Sequence, residues 1–216
     1  RPQSYLRETL WSDAPVSHIV VTPPVPSFPL NPDKADWSVW DFPDVVDHWN
    51  FPGYEGKKMT VSVYSNCEQV ELFLNGESLG KQENTADKKN TLVWEVPYAH
   101  GILKAVSYNK GGEVGTATLE SAGKVEKIRL SADRTEIVAD GNDLSYITLE
   151  LVDSKGIRNQ LAEELVEFSI EGDATIEGVG NANPMSIESF VANSRKTWRG
   201  SNLLVVRSGK SSGRII

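Results

Sequence analysis

The sequence predicts an all-β protein, built as two tandem antiparallel β-sandwiches behind a proline-rich N-terminal lead-in. Three observations carry that prediction. Short runs of β-branched and aromatic residues recur along most of the 216 residues, separated by Gly, Asn and Asp turns. Their rhythm pauses once, at Gly123–Val125, and then restarts. Near the front, prolines at positions 23, 24, 26, 29 and 32 exclude regular helix or a central strand. The expected division is therefore a tail and connector over 1–45, a first sandwich over 46–122 and a second over 123–216.

Taken in order, Ser4–Trp11 is a short amphipathic piece in which Tyr5, Leu6, Thr9 and Leu10 share one helical face. His18–Thr22 is a β-branched run that stops at Pro23-Pro24. The connector from Pro23 to Lys34 leads into a dense aromatic set, Trp37, Trp40, Phe42 and Trp49. Met59, Val61 and Val63 then alternate with Thr60, Ser62 and Tyr64, the pattern of a strand with one apolar face. Asn75-Gly76 accepts the positive φ angles of a type I′ turn, which makes Val70–Leu74 and Glu77–Lys81 a hairpin. Thr91–Val96, Gly101–Asn109 and Glu113–Leu119 complete the first set.

The second set comprises Val125–Ala132, Glu136–Ala139, Ser145–Val152, Val166–Ile170, Thr175–Val179 and Asn202–Arg207. Gln160–Glu164 has room for one helical turn, and Gly213–Ile216 reads as the entry to another strand, leaving this sandwich short of its final one. Both halves have an immunoglobulin-like rhythm, without the Cys…Trp…Cys pattern of antibody domains.

Composition narrows the function classes. An apolar fraction of 39% and a charged fraction of 24% are those of an ordinary globular protein. The net charge of −8 and a pI near 5.0 argue against a nucleic-acid partner, since such a surface repels phosphate backbones. No apolar run is long enough to span a bilayer as a helix, so no membrane partner is expected. Cys67 is the only cysteine, with no basic neighbour in sequence to activate it, and reads as a small buried residue.

The chemistry of catalysis is not written here. His18, His48 and His100 are the only histidines, and none sits in a nucleophile-elbow context. Three scattered histidines and one cysteine make no zinc spacing, and Asp140-Gly141-Asn142-Asp143 lacks the calcium-loop pattern and reads as an Asx-rich turn. The carboxylate pairs Asp44/Asp47, Glu68/Glu71 and Glu163/Glu164 fall on polar stretches and read as solvated surface charge. We therefore expect no catalytic residue, no metal and no cofactor. What remains is aromatic: Trp37, Trp40 and Trp49 are the expected docking surface, for a neighbouring domain or for sugar rings.

Three stretches carry a resemblance. His48–Gly53 is followed by Val61, Val63, Tyr64, Ser65 and Asn66, then by Val70–Gly76 with Ser78, Leu79 and Gly80. Arg1–Arg7 ends in Leu10-Trp11, and Gly180–Pro184 is followed by Glu188-Ser189-Phe190, Arg195-Lys196 and Gly200. Together they resemble the region after the catalytic barrel of glycoside hydrolase family 2 enzymes, notably bacterial β-galactosidases. In that family a second glycine is usual where Ala182 stands. The resemblance implies a non-catalytic C-terminal region, inactive alone, whose parent is an O-glycosyl hydrolase with its catalytic glutamates on an upstream barrel. It implies a bracing or cleft-shaping role, the barrel as partner, and a periplasmic or extracellular location. Two alternatives stand beside it: a carbohydrate-binding module using exposed tryptophans on a glycan, and an adhesin-like tandem of immunoglobulin domains.

Overall fold

The computed structural model describes residues 2–27 and 43–216. In chain order its elements are α1 (Pro2–Trp11), β1 (Ser17–Val21), β2 (Lys58–Ser65), β3 (Gln69–Leu74), β4 (Glu77–Glu83), β5 (Thr91–Pro97), β6 (Ile102–Asn109) and β7 (Gly112–Glu120). They continue with β8 (Lys127–Ala132), β9 (Leu144–Val152), β10 (Leu165–Glu167), β11 (Ala174–Gly180), β12 (Ser194–Lys196) and β13 (Ser201–Ser208). All strand pairings are antiparallel. The chain divides into two compact units, Arg1–Ser121 and Ala122–Ile216.

The first unit is a sandwich of one sheet ordered β1-β2-β5 and another ordered β4-β3-β6-β7. The alternation in β2 does what its pattern dictates: Met59, Val61 and Val63 are buried and meet Leu92, Trp94 and Val96 of the same sheet. Val70 and Leu72 of β3, with Leu103 and Ala105 of β6, close the core from the other layer. The β3–β4 hairpin turns on Asn75 at φ 52° and Gly76 at φ 88°, the left-handed pair of a type I′ turn. The Asn75 side chain reinforces the turn: its Oδ1 accepts from the Ile102 N–H at 2.8 Å and its Nδ2 donates to the His100 carbonyl at 3.2 Å.

One boundary differs from the sequence expectation. The lead-in is not a separate tail, because β1 pairs along its whole length with β2, from Ser17 opposite Ser65 to Val21 opposite Val61. Val20 and Val21 are fully buried, and burial of that β-branched run draws the lead-in into the first sandwich.

The second unit has a sheet ordered β11-β13-β9-β8 and a two-stranded sheet of β10 and β12. Leu149, Leu151, Leu204, Val206 and Val179 from the larger sheet pack with Val166 and Phe168. Two sequence readings fail here. Glu136–Ala139 is irregular, because the Val138 N–H bonds to the Asp143 carboxylate rather than to a neighbouring strand. The three-residue β12 was not foreseen. It exists because Val166 lies opposite Arg195, a pairing no periodicity announces.

Candidate functional site

The aromatic reading divides. Trp37 and Trp40 lie outside the described residues. Trp49 is fully buried, which corrects the expectation that it faces outward. Its ring meets Tyr98 edge-on at 4.9 Å between centroids and Phe51 at 6.0 Å, and Phe51 meets Tyr98 at 5.7 Å. The indole N–H donates to the Ala99 carbonyl at 2.8 Å, and the Tyr98 hydroxyl accepts from the Phe51 N–H at 3.1 Å. Ser121 Oγ donates to the Trp49 carbonyl. This cluster pins His48–Phe51 to the β5–β6 connection within the first unit. A ring with both faces packed and its N–H engaged has nothing left for a sugar.

The feature that does face outward is α1. Its inner face is Tyr5, Leu6 and Thr9; Tyr5 and Leu6 pack on Val20, Val45 and Tyr64. Tyr5 stacks on His18 of β1 at 4.2 Å and 10° between planes, and its hydroxyl donates to Asp47 at 3.1 Å. Glu8, one helical turn on, meets His18 Nε2 at 2.8 Å. The turn into β1 is held by Asn66, whose Oδ1 accepts from the Val16 N–H at 2.8 Å while its Nδ2 donates to the carbonyls of Ser12 and Ala14 at 3.0 and 2.8 Å. Leu10 was expected on the inner face but is 65% exposed, and Trp11 beside it is 85% exposed. The helix is clamped along its inner face and leaves an apolar pair exposed at its end.

A second constructed feature is the loop between β11 and β12. Arg195 is fully buried; its Nη1 donates to the carbonyls of Val179 and Glu188, both at 3.2 Å, and its Nη2 to Ser186 Oγ at 3.1 Å. The guanidinium also lies over Phe190 at 4.3 Å. Glu188 caps the arrangement by accepting from the Lys196 N–H at 3.0 Å, and that bond, with the Ser186 hydroxyl, holds its carboxyl below the usual range. The sequence motif Glu188-Ser189-Phe190…Arg195-Lys196 is thus a loop clasp, not a reactive constellation. Ala182, where the family has glycine, keeps the left-handed backbone at φ 59°.

The carboxylates tested for glycosidic chemistry are structural staples where their contacts are described. Glu68 accepts from the Lys110 N–H at 2.7 Å, Glu71 from Ser78 Oγ at 2.6 Å, and Asp44 from the Ser27 N–H at 2.6 Å. Asp140 accepts from the N–H groups of Asn142 and Asp143 at 2.7 and 2.9 Å, an Asx turn. Cys67 is buried, at 1% exposure.

Comparison with known proteins places this geometry. Residues 128–216 match the glycoside hydrolase family 2 C-terminal domain 5, and residues 56–115 match a domain of unknown function, DUF4982. A β-galactosidase of Bacteroides ovatus is 34% identical over 182 residues, covering 84% of this chain and 21% of that protein. A β-glucuronidase of Formosa agariphila is 31% identical over 189 residues, covering 84% of this chain and 18% of that protein. The crystal structure of a glycosyl hydrolase family 2 member from Bacteroides cellulosilyticus superposes with a TM-score of 0.93 at 95% identity, over all of this chain and 28% of that one. The chain thus spans about a fifth of the curated relatives it matches. It is a C-terminal region of glycoside hydrolase family 2.

Proposed function

We propose that this region is the non-catalytic brace of a β-galactosidase, holding the end of an upstream catalytic barrel against the first sandwich and so setting the edge of the cleft. The observation that carries the reading is α1. The stretch that resembles the end of the family's barrel is clamped to β1 by Tyr5 and Glu8, while Leu10 and Trp11 stay exposed. An apolar pair on a helix already fixed from behind suits burial by a further packed surface. Galactoside cleavage is favoured as the parent activity by the 34% identity to a β-galactosidase, with β-glucuronide as the competing substrate class given the 31% relative. A periplasmic or extracellular location completes the proposal, and cell fractionation with an antibody to this region tests it.

The deciding experiment assays the natural polypeptide containing this sequence on nitrophenyl β-galactoside and β-glucuronide, beside the 216-residue chain. The expected result is turnover of the galactoside by the former and none by the latter. Leu10→Asp and Trp11→Ser should each lower the temperature at which the longer polypeptide loses activity, while leaving the isolated chain's melting unchanged. Hydrolysis by the 216-residue chain, or full heat resistance in both variants, would sink the proposal. Quenching of tryptophan emission by galacto-oligosaccharide would instead support a binding module.

A further inference from the structure

The first unit has a seam. Its two sheets end on β1 and on β7, which run close to each other without pairing. Val21 turns its N–H away from β2, to the Val46 carbonyl, so by alternation Ile19 also points its backbone polar groups away from β2. On β7 the Ser121 N–H goes to the Gly101 carbonyl, on the side of β6. Alternation then turns the backbone groups of Thr116 and Thr118 the other way. Donors and acceptors from both strands thus border one gap.

The gap is hollow. Two cavities of about 210 and 360 Å³ lie along it and share Ser17, His18 and Thr116. Together they reach the roughly 300–1,000 Å³ of small-ligand sites. The first is deep because small residues stand where the core would be filled. Ser17 continues the inward row of Ile19 and Val21, and Ser107 that of Leu103 and Ala105. Their ladder partners are Ser65 and Gly115, and a Cβ added at Gly115 would meet no atom within 4 Å. Ser17 Oγ lies 2.8 Å from Ser65 Oγ and 2.5 Å from Ser107 Oγ, so a chain of hydroxyls replaces an apolar wall. Glu8 stands on the first cavity and Tyr5 with Asp47 on the second. The Glu8–His18 and Tyr5–Asp47 bonds hold these groups in place.

We propose that this seam binds a neutral glycan, one sugar ring of a disaccharide segment in each cavity. The lining selects that class. It includes two carboxylates and no lysine or arginine, which repels phosphates and uronic acids. Among the described residues no group of three or more His, Cys, Asp and Glu side chains is placed to hold a metal ion. Hydroxyls and carboxylates also penalise a wholly apolar guest, which would leave them desolvated and unpaired. A neutral sugar meets both needs. Its hydroxyls donate to carboxylate and carbonyl oxygens and accept from serine, threonine and backbone N–H groups. Its C–H faces meet Pro15 in one cavity and Ile19 and Leu119 in the other. The inference goes beyond the bracing role and stands on the first unit alone.

The test titrates the 216-residue chain by calorimetry with β-galactobiose and cellobiose, and with a glucuronic-acid disaccharide as the anionic comparison. At least one neutral sugar should bind saturably with a dissociation constant of about 1 mM or tighter. The anionic one should bind roughly tenfold more weakly or not at all. Magnetic-resonance shifts at the Ile19, Thr116 and Thr118 amides and the His18 ring should locate the sugar. No tryptophan lines either cavity, so quenching of indole emission reports a different place. Gly115→Leu fills the first cavity and should abolish binding, and Thr116→Val should weaken it by roughly 2–10-fold. Neither should change the heat inactivation of the longer polypeptide, which Leu10→Asp lowers, so this site and the brace fail separately. The proposal is overturned if neither neutral sugar binds, if the anionic sugar binds as well, or if both variants bind like the parent chain. Binding by the 216-residue chain that vanishes in the longer polypeptide assigns the seam to another domain and also overturns it.

Discussion

Ala182 is a stabilising substitution waiting to be made. It holds φ at 59° while exposed to solvent, so its Cβ meets the left-handed steric penalty and returns no packing. The conformation is imposed from both sides. Asn181, 7% exposed, donates from Nδ2 to the Lys196 carbonyl at 2.9 Å, and its Oδ1 accepts from the Asn183 N–H at 3.1 Å. A left-handed L-residue costs roughly 1–2 kcal/mol. Glycine removes that cost but loosens the unfolded chain by about 0.4–1 kcal/mol. Ala182→Gly should therefore stabilise the second unit by roughly 0.5–1 kcal/mol. For a domain of this size that raises Tm by about 2–8 °C. Calorimetry of the 216-residue chain should show the second unit's transition rise and the first unit's stay in place. Ala182→Val, with a β-branched side chain in the same conformation, should shift the transition the other way. An unchanged or lowered Tm for Ala182→Gly would refute the reasoning, since the loop would then not be held left-handed at this residue.

Other outcomes follow from the same contacts. Asn75→Ala removes both side-chain bonds of the β3–β4 turn and keeps a left-handed φ without amide help, so urea unfolding of the first unit should fall by roughly 2–3 kcal/mol. Trp49→Phe leaves the Ala99 carbonyl without its donor, a loss of about 1–3 kcal/mol in the same measurement, and removes emission that iodide does not quench. Asp143, Asp153 and Asp173 in the second unit are all held below the ordinary carboxylate range, chiefly by the N–H groups of Val138, Gly123 and Ser211 respectively. A lowered pKa stabilises the fold above the unfolded value and is lost as pH falls through the folded one, so the second unit's Tm should hold at neutral pH and drop below about pH 4. Asp153→Asn should flatten part of that slope, because one carboxyl serves the N–H groups of Gly123, Lys155 and Ile157 at 2.7, 2.9 and 2.9 Å.

The parts of this fold legible in sequence were those with local causes. Alternation placed Met59, Val61 and Val63 in the core, and Asn75-Gly76 fixed its hairpin, because side-chain period and turn chemistry act within a few residues. What escaped had distant causes. Trp49 reads as a loop aromatic, and partners as distant in sequence as Tyr98, Ala99 and Ser121 enclose and anchor it. The strand β12 owes its existence to β10, and Arg195 inside it reads as a surface charge until the carbonyls of Val179 and Glu188 are seen around it. Leu10 fits the apolar stripe of α1 by spacing, yet it is Tyr5 and Leu6 that pack on Val20, Val45 and Tyr64, while Leu10 stays exposed. At the candidate site, sequence supplied the motif and the helix, and tertiary contact decided which side of each faced out.

The hairpin at Asn75-Gly76 also bears on chemical ageing. The small residue that lets the chain turn so sharply is the one that leaves an asparagine open to attack on its amide by the next backbone nitrogen, the route to deamidation. Here the folded state withholds the reactive geometry, since the Ile102 N–H and the His100 carbonyl grip opposite ends of that amide. Unfolded molecules have no such grip. Conversion to aspartate at this one position therefore accumulates with time spent unfolded, and peptide mass spectrometry of stored protein turns Asn75 into a clock for the opening of the first sandwich.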